Sequence, residues 1–423
     1  MQVLRRATRY GSLFLACSLK TTHMHSLSAA PLPKPAWLAL IEPLAEYRQG
    51  GYHPTRIGDV FGEAGRYEVR TKLGWGVYST VWLARDTSTS DGVAVALKIM
   101  QAEASYVPQL HEAEHLQRLR NTDPQSPGHP HIVQLLDTFA HDGPNGRHEC
   151  LVTEVLCCDM DILRRTAFPH RRIPVGLAKR ITRDMLLALD YAHNTCGIIH
   201  TDVKLSNIMM RPPGPPYLSS EITTENMEYT AVQPDGSLVH LVALASLPYP
   251  DGDPQDPHTW ESCFLKLVDF GVACDVEKTA EHWAPLICSP ALRPPEVVVG
   301  AGWGKPVDIW SLGCCLYEML VGRSMLPPNI PHEVVPIAQM EIFGEYPVSL
   351  VKRGKYSSRF FLEDGSPPDS YSDHCGIEAL AKTKSGGAVE LSPDCVDFFK
   401  RMMAYEPSER ATAQELLEHP FLA

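Results

Sequence analysis

The chain has 423 residues, a formal net charge of −12, 44% hydrophobic residues and 21% charged residues. Such a length exceeds one small core and suits two domains; the acidic balance argues against nonspecific nucleic-acid binding, and no apolar run approaches the ~20 residues of a membrane-spanning helix. The 12 cysteines lack disulfide or metal spacing: Cys157–Cys158 and Cys314–Cys315 are adjacent pairs that, with Cys150, read as buried thiols of a reducing compartment.

Residues 1–41 contain no acid and carry Arg5, Arg6, Arg9, Lys20 and Lys34 among several Ser and Thr. That composition is of the mitochondrial transit type; a disordered tail, or a start at Met24, would look the same. From Arg66 the pattern changes. "RYEVRTKLG" and "STVWLARD" predict two strands around a glycine turn, and "GVAVALKIM" a third, buried strand. "YVPQLHEAEHLQRLR" spaces Leu110, Ala113, Leu116 and Leu119 as an amphipathic helix does. "HIVQLLDTFA" and "ECLVTEVL" read as strands again, joined by "HDGPNGR".

Beyond about residue 157 the periods become helical. "LAKRITRDMLLALDYAH" sets Ile181, Met185 and Leu189 four apart, and "DIWSLGCCLYEMLVG", apolar nearly all round, predicts a central buried helix. "PDCVDFFKRMMA" and "TAQELLEHPFL" predict later amphipathic helices. Residues 211–262 differ, with nine prolines, eight acids and one basic residue; this acidic, Pro-rich insert is expected to be a mobile surface excursion. Residues 324–334 and 363–390 read as irregular loops.

Gly74-Trp75-Gly76 lies between two strands, where glycines let backbone N–H groups approach phosphate oxygens. Lys98 follows on the next apolar strand and needs a counter-charge there; Glu112 or Glu114 on the helix could supply it, a phosphate-clamp arrangement. In "IIHTDVKLSNIMM", Asp202 can accept a hydroxyl proton, Lys204 can neutralise a transferred phosphate, and Asn207 can ligate Mg²⁺. A hard cation calls for a further oxygen ligand, which "LVDFGVA" offers in Asp269, with Gly271 allowing a sharp turn.

This ordered set resembles the eukaryotic protein-kinase signature. "GGYHPTRIGDVF", "LGWGVYSTVWLARD", "RNTDPQSPG", "IVQLLDTF" and "HTDVKLSNIM" narrow the resemblance to the serine/arginine-rich (SR) protein kinases of the CMGC group. Ser79 for the third loop glycine, Thr201 for the arginine before the catalytic acid, and the spacer at 211–262 all match. The resemblance implies an α+β, bilobal protein-kinase fold: a small antiparallel N-lobe sheet with one main helix, and a larger, mostly helical C-lobe. The implied organisation is a basic extension at 1–41, a family-specific segment at 42–66, an N-lobe at 67–156, and a C-lobe at 157–423 that includes the insert.

The resemblance further implies ATP and Mg²⁺ as cofactors. It makes Glu112 the partner of Lys98, and places the nucleotide against Leu73, Gly74, Gly76, Ser79, Val81, Ala96 and Lys98. Glu154 to Leu156 would form the hinge. Thr153 would stand at the gatekeeper position, smaller than the aromatic residue usual in the family. Asp202, Lys204, Lys98 and Glu112 would be catalytic, Asn207 and Asp269 would hold metal, and Gly271, Glu296, Asp308 and Arg410 would be structural, Glu296 pairing with Arg410 and Asp308 capping the catalytic loop.

Thr201 cannot make the charge-assisted pair with an activation-loop phosphate that arginine makes, and Asp269 to Glu296 holds only Thr279 and Ser289 as hydroxyls. Activity without activation-loop phosphorylation is therefore expected. The implied partner is a protein substrate with Ser/Thr acceptors in Arg/Ser-rich sequence; the implied state is a monomer, with no direct nucleic-acid partner, in cytoplasm and nucleus. Yet "GRSMLPPNIPHEVVPIAQ", where the family carries acidic docking residues, has one acid, Glu333, and Leu292 stands where a Tyr is usual, although Arg293 is kept. An ATP-binding scaffold without turnover, and a small-molecule phosphotransferase, are the alternatives to a protein kinase.

Overall fold

The computed structural model describes residues 42–88, 92–106, 111–211, 228–232, 238–242, 252–261, 263–282, 284, 286–367 and 374–423. Strands run β1 (Val60–Phe61), β2 (Tyr67–Gly76), β3 (Ser79–Asp86), β4 (Val93–Met100), β5 (Leu135–Gly143), β6 (Gly146–Thr153), β7 (Ile198–Ile199), β8 (Ile208–Arg211), β9 (Glu228–Val232), β10 (Leu238–Val242), β11 (Phe264–Leu267) and β12 (Cys274–Asp275). Helices run α1 (Glu112–Asn121), α2 (Met160–Thr166), α3 (Val175–Asp190), α4 (Pro295–Val299), α5 (Pro306–Val321), α6 (Val335–Phe343), α7 (Val348–Arg353), α8 (Gly376–Lys384), α9 (Pro393–Met402) and α10 (Ala413–Leu417). The expected transit-type segment, 1–41, lies outside the described residues.

The chain divides into two compact units, one of residues 1–110, 134–158 and 212–249, the other of 111–133, 159–211 and 250–423. The first is built on a six-stranded antiparallel sheet in the order β1-β2-β3-β4-β6-β5. Strand alternation sends Trp82, Ala84, Val95, Leu97, Ile99, Cys150 and Val152 to one face, where they pack with Phe61, Tyr67 and Val69. The helix expected within this lobe, α1, groups instead with the second unit: its apolar stripe carries Leu116 and Leu119, and Tyr191, just beyond α3, donates to the Leu119 carbonyl at 2.7 Å.

The insert is not only an excursion. Its β9 and β10 pair in antiparallel register from Leu238↔Val232 to Val242↔Glu228. Ala231, Val239 and Leu241 pack on Tyr47 and Tyr52, and Val242 enters the core around Trp82. The apolar stretch at the centre of a polar, Pro-rich segment thus finds a sheet face to cover, which offsets the entropy of ordering it. Segment 42–61 lies on the same layer. Its turn requires Gly51, where an added Cβ would come within 1.8 Å of the Glu46 carbonyl oxygen.

In the second unit, α5 is buried at every residue from Val307 to Val321 except Glu318, as its all-round apolar sequence demands. It ends at Gly322, whose left-handed φ of 78° stops the helix. Helix α3 buries Ala178, Ile181, Met185 and Leu189 and packs against α5 and α10. The ribbons β7–β12 and β8–β11 bring the loop at 200–207 alongside the turn at 269–271.

Candidate active site

Strand register places the predicted site residues of the first unit relative to one another. Gly74 pairs with Val81 and Gly76 with Ser79; Val81 pairs with Lys98 and Leu83 with Ala96; Ala96 pairs with Thr153. Facing pairs share a side of the sheet, so Val81, Ala96, Lys98 and Thr153 stand together on the face opposite the Trp82 core. Leu73 and Val155 pack with Leu83 and Ala94 on an apolar patch, and Leu156 is buried. Glu154 folds onto the backbone of Gln134, accepting its N–H at 2.9 Å and donating its own to the Gln134 carbonyl at 3.2 Å. One contributor was not legible as such. Tyr52 donates its hydroxyl to the Gly76 carbonyl at 2.6 Å, holding the glycine-rich hairpin from behind.

In the second unit the loop after β7 is organised by Asp308, which is fully buried at the start of α5. One carboxylate oxygen accepts the N–H of Thr201 at 2.8 Å; the other accepts the N–H of His200 and meets His193 Nε2, each at 2.8 Å. Thr201 adopts a left-handed φ of 67°, which a β-branched residue reaches only when its surroundings force it. Its hydroxyl then donates to the Val272 carbonyl at 2.7 Å. His200 Nε2 sits 2.9 Å from the Val268 carbonyl, and its Nδ1 takes the N–H of Asp202 at 3.2 Å. His193 and His200 were missed in the sequence; each looks there like an ordinary histidine beside apolar residues.

The chemistry-bearing groups converge on this frame. Lys204 Nζ lies 2.6 Å from Asp202 Oδ2. Asn207 donates Nδ2 to the Asp202 carbonyl at 3.0 Å and to Oδ2 at 3.4 Å, which leaves its amide oxygen as a ligand. Burial works against the Lys204 ammonium, but Asp202, with Asp269 behind it, outweighs burial and raises its pKa above the ordinary lysine value. Asp269 also has a left-handed φ, 64°, and is exposed, whereas the neighbouring Phe270 is buried against the His200 ring at 4.8 Å.

The residues fit a divalent cation. At Gly271 an added Cβ would come within 3.3 Å of both Asp269 Oδ1 and Glu112 Oε2, so two carboxylates crowd the space beside this glycine. Asp269 and the Asn207 amide oxygen are hard donors of the kind Mg²⁺ accepts alongside phosphate oxygens.

Further along, Arg410 donates to Glu296 at 2.8 and 3.0 Å through both terminal nitrogens, and also to the carbonyls of Pro306 and Ala404. Arg293 is buried and donates to the carbonyls of Ile287 and Cys288 at 3.0 and 2.9 Å and to His332 Nδ1 at 3.1 Å. Burial lowers its pKa below the usual arginine value.

A protein kinase domain family matches residues 67–221 and 253–422. A serine/threonine-protein kinase SRPK of Physarum polycephalum is 31% identical over 398 residues, covering 89% of this chain and 90% of that protein. Protein kinase dsk1 of Schizosaccharomyces pombe is 29% identical over 463 residues, covering 89% and 84%. SRSF protein kinase 3 of Homo sapiens is 26% identical over 516 residues, covering 89% of each. A crystal structure of a kinase domain superposes with a TM-score of 0.63 at 20% identity, covering 87% of this chain and 98% of that one, a likeness of fold.

Proposed function

Because this chain belongs to the protein kinase family, and within it to the SR-protein-kinase-like serine/threonine kinases, we propose that Asp202 is the group that orients the acceptor hydroxyl and receives its proton. The chain is an ATP-dependent serine/threonine protein kinase. The observation that carries the assignment is the Asp202–Lys204–Asn207 cluster on a loop fixed by Asp308. Lys204, held charged beside Asp202, would offset negative charge on the transferred phosphoryl group. Asn207 and Asp269 would hold Mg²⁺, which when bound draws charge from the phosphate oxygens. Gly74, Gly76 and Lys98 would receive the ATP phosphates, with Glu112 as the counter-charge of Lys98. Val81, Ala96, Thr153 and the hinge from Glu154 to Leu156 would receive the adenine.

Activity without activation-loop phosphorylation belongs to the same proposal. Thr201 is tied within the chain, its N–H donating to the Asp308 carboxylate and its hydroxyl to the Val272 carbonyl, which supports a loop geometry that needs no arginine–phosphate pair. Arg/Ser-rich proteins, regulation of mRNA splicing, action as a monomer, and a cytoplasmic and nuclear location are proposed from the family. So are the lobe boundaries at 67–156 and 157–423.

The test is transfer of labelled phosphate from Mg-ATP to an Arg/Ser-repeat peptide and to a generic basic protein, with Asp202→Asn as control and a phosphatase-treated sample beside it. Transfer that disappears in Asp202→Asn and survives phosphatase treatment is the expected result. ATP binding with no transfer to any acceptor would replace the kinase by a nucleotide-binding scaffold. Activity lost on phosphatase treatment would remove the phosphorylation-independent part alone.

A further inference from the structure

In a chain of net charge −12, one cavity of the second unit is basic. About 320 Å³ in volume, it is lined by Arg164, Arg165, Arg171, Arg323 and Lys384, with Glu318 as the one acid. Arg323 lies in "GRSMLPPNIPHEVVPIAQ", the stretch where the family resemblance leads one to expect acidic docking residues. Where that stretch meets the cavity it presents a cation, Arg323.

The cations come from separate elements. Arg164 and Arg165 end α2, Arg323 follows α5, and Lys384 ends α8. Arg171 is carried by a turn in which His170 and Arg171 both have left-handed φ, 56° and 61°. That turn presses on Gly322, where an added Cβ would meet the His170 carbonyl oxygen at 2.2 Å. Part of the charge is answered within the protein. Arg164 pairs with Asp161 and Glu318, and Arg165 with Asp161. Lys384 donates to the carbonyls of Ser324 and Met325.

The balance remains positive, and two observations show it. Burial, together with the adjacent charge of Arg323, lowers the Lys384 pKa, so like charges crowd one wall. Arg164 is 3% exposed, yet its Nε is buried without an acceptor among the described residues. A buried guanidinium N–H left unmade is costly. A multivalent anion in the cavity would supply acceptors and relieve the crowding. Five cations against Glu318 and Asp161 leave an excess that one carboxylate does not balance, whereas a phosphate monoester carries about −1.5 to −2.

The site is joined to the catalytic loop through α2, whose last turn carries Arg164 and Arg165. Helix α2 packs on the turn at Leu205–Asn207, and Asp159, which caps α2, bridges to Met209. We propose that this cavity is a subsite for a phosphorylated side chain of the protein substrate, so that the enzyme prefers acceptors lying near a residue already phosphorylated. The proposal rests on the kinase reading for its substrate but not for its binding.

The experiment uses the full chain and fluorescent peptides with one acceptor serine. A phosphoserine, a glutamate or an unmodified serine occupies each neighbouring position in turn. Anisotropy gives binding, and label transfer from Mg-ATP gives turnover. At its preferred position the phosphoserine peptide is expected to bind at least tenfold tighter than the unmodified one, and inorganic phosphate should compete. R171E/R323E, at two exposed positions, should abolish the preference while leaving the rate on a generic basic protein unchanged. Equal binding of all three peptides would overturn the proposal. So would a preference that survives R171E/R323E, and binding of glutamate as tight as phosphoserine would overturn the phosphoryl assignment. A phosphoserine preference without any label transfer would keep the subsite and discard the kinase reading, so the two failures are distinguishable.

Discussion

Two ion pairs in this molecule are equally buried and differently built. Glu296–Arg410 in the second unit and Glu42–Lys72 in the first both have side chains at 0% exposure. Arg410 meets both Glu296 oxygens and two backbone carbonyls. Lys72 contacts Glu42 Oε1, which Tyr47 also reaches, and rests over the Trp82 ring at 5.1 Å, while Glu42 Oε2 is buried without a partner among the described residues. Burial lowers the Lys72 pKa despite Glu42. Equal burial therefore does not mean equal worth. The guanidinium pair repays its desolvation through full satisfaction, and the ammonium pair does so incompletely.

The largest expected effect breaks the first pair. Arg410→Met leaves Glu296 charged and dry, and should cost about 3–5 kcal/mol, read as a lower denaturant midpoint. The pair at Lys72 should respond less, because Glu42 belongs to the segment 42–47, outside the sheet, and can reach water by local opening of that segment. Lys72→Met is expected to cost about 1–3 kcal/mol and to expose 42–52 to protease. The double variant Lys72→Met/Glu42→Leu should recover that loss, as apolar replacement of a buried pair can; a double variant less stable than Lys72→Met would show the pair to be as well satisfied as Glu296–Arg410.

Acidity separates the two regions further. His53 is lowered to about 3, by burial first and then by His148 and His141, both of which burial also lowers. The His53 ring stays neutral in the fold while the unfolded chain protonates below ~6.5, and His148 and His141 take up protons less readily than in the unfolded chain. Their contribution is present above that pH and is lost on acidification. Asp159, the cap of α2, is raised by burial to about 7. Its contribution is present below the ordinary ~4 of an aspartate and is lost as pH rises through about 7. Moving from pH 7 to 5 should therefore loosen the outer layer of the first unit and tighten the cap of α2, as hydrogen exchange resolved by segment would show. His53→Phe should flatten the first trend and Asp159→Asn, which keeps a capping oxygen, the second. The smallest effect expected is from Tyr52→Phe. Loss of one hydrogen bond to Gly76 should raise KM for ATP about two- to fivefold with kcat and thermal stability nearly unchanged; an equal fall in kcat would mean that Tyr52 does more than steady the hairpin.

Glu296 and Arg410 were legible because "LRPPEVVVG" and "PSERATAQELLEHPFL" are contiguous motifs, and Asp202, Lys204 and Asn207 because a short loop sets their spacing. The strands of the sheet followed from alternation. Lys72 did not, since β2 carries register shifts between Val69 and Thr71 and between Lys72 and Gly74. Those irregularities place it opposite Trp82 on the covered face, and a period-two reading has no means of seeing them. Glu42 was hidden for another reason, as its partner lies 30 residues away in a different element. The hairpin of the insert was masked by proline and acid content, which describe the flanks of 211–262 better than its apolar centre. The basic cavity was the hardest to read. Its five cations are scattered from 164 to 384, and only the fold collects them.

The insert hairpin bears on the order in which the chain is made. Val242 belongs to the same cluster as Phe61, Tyr67 and Trp82, so the first unit's core is not complete until residue 242 has left the ribosome. At ~5–20 residues per second, roughly 10–40 s of synthesis separate Phe61 from its last core neighbour. During that interval the outer face of the sheet, with Trp82 at its centre, is short of its cover, and residues 159–211 of the second unit emerge before the first unit can close. Nascent chains paused before 228 should therefore be the ones that chaperones hold and that aggregate when those are limiting. For this protein the vulnerable moment falls after the glycine-rich hairpin and the catalytic loop have both been made.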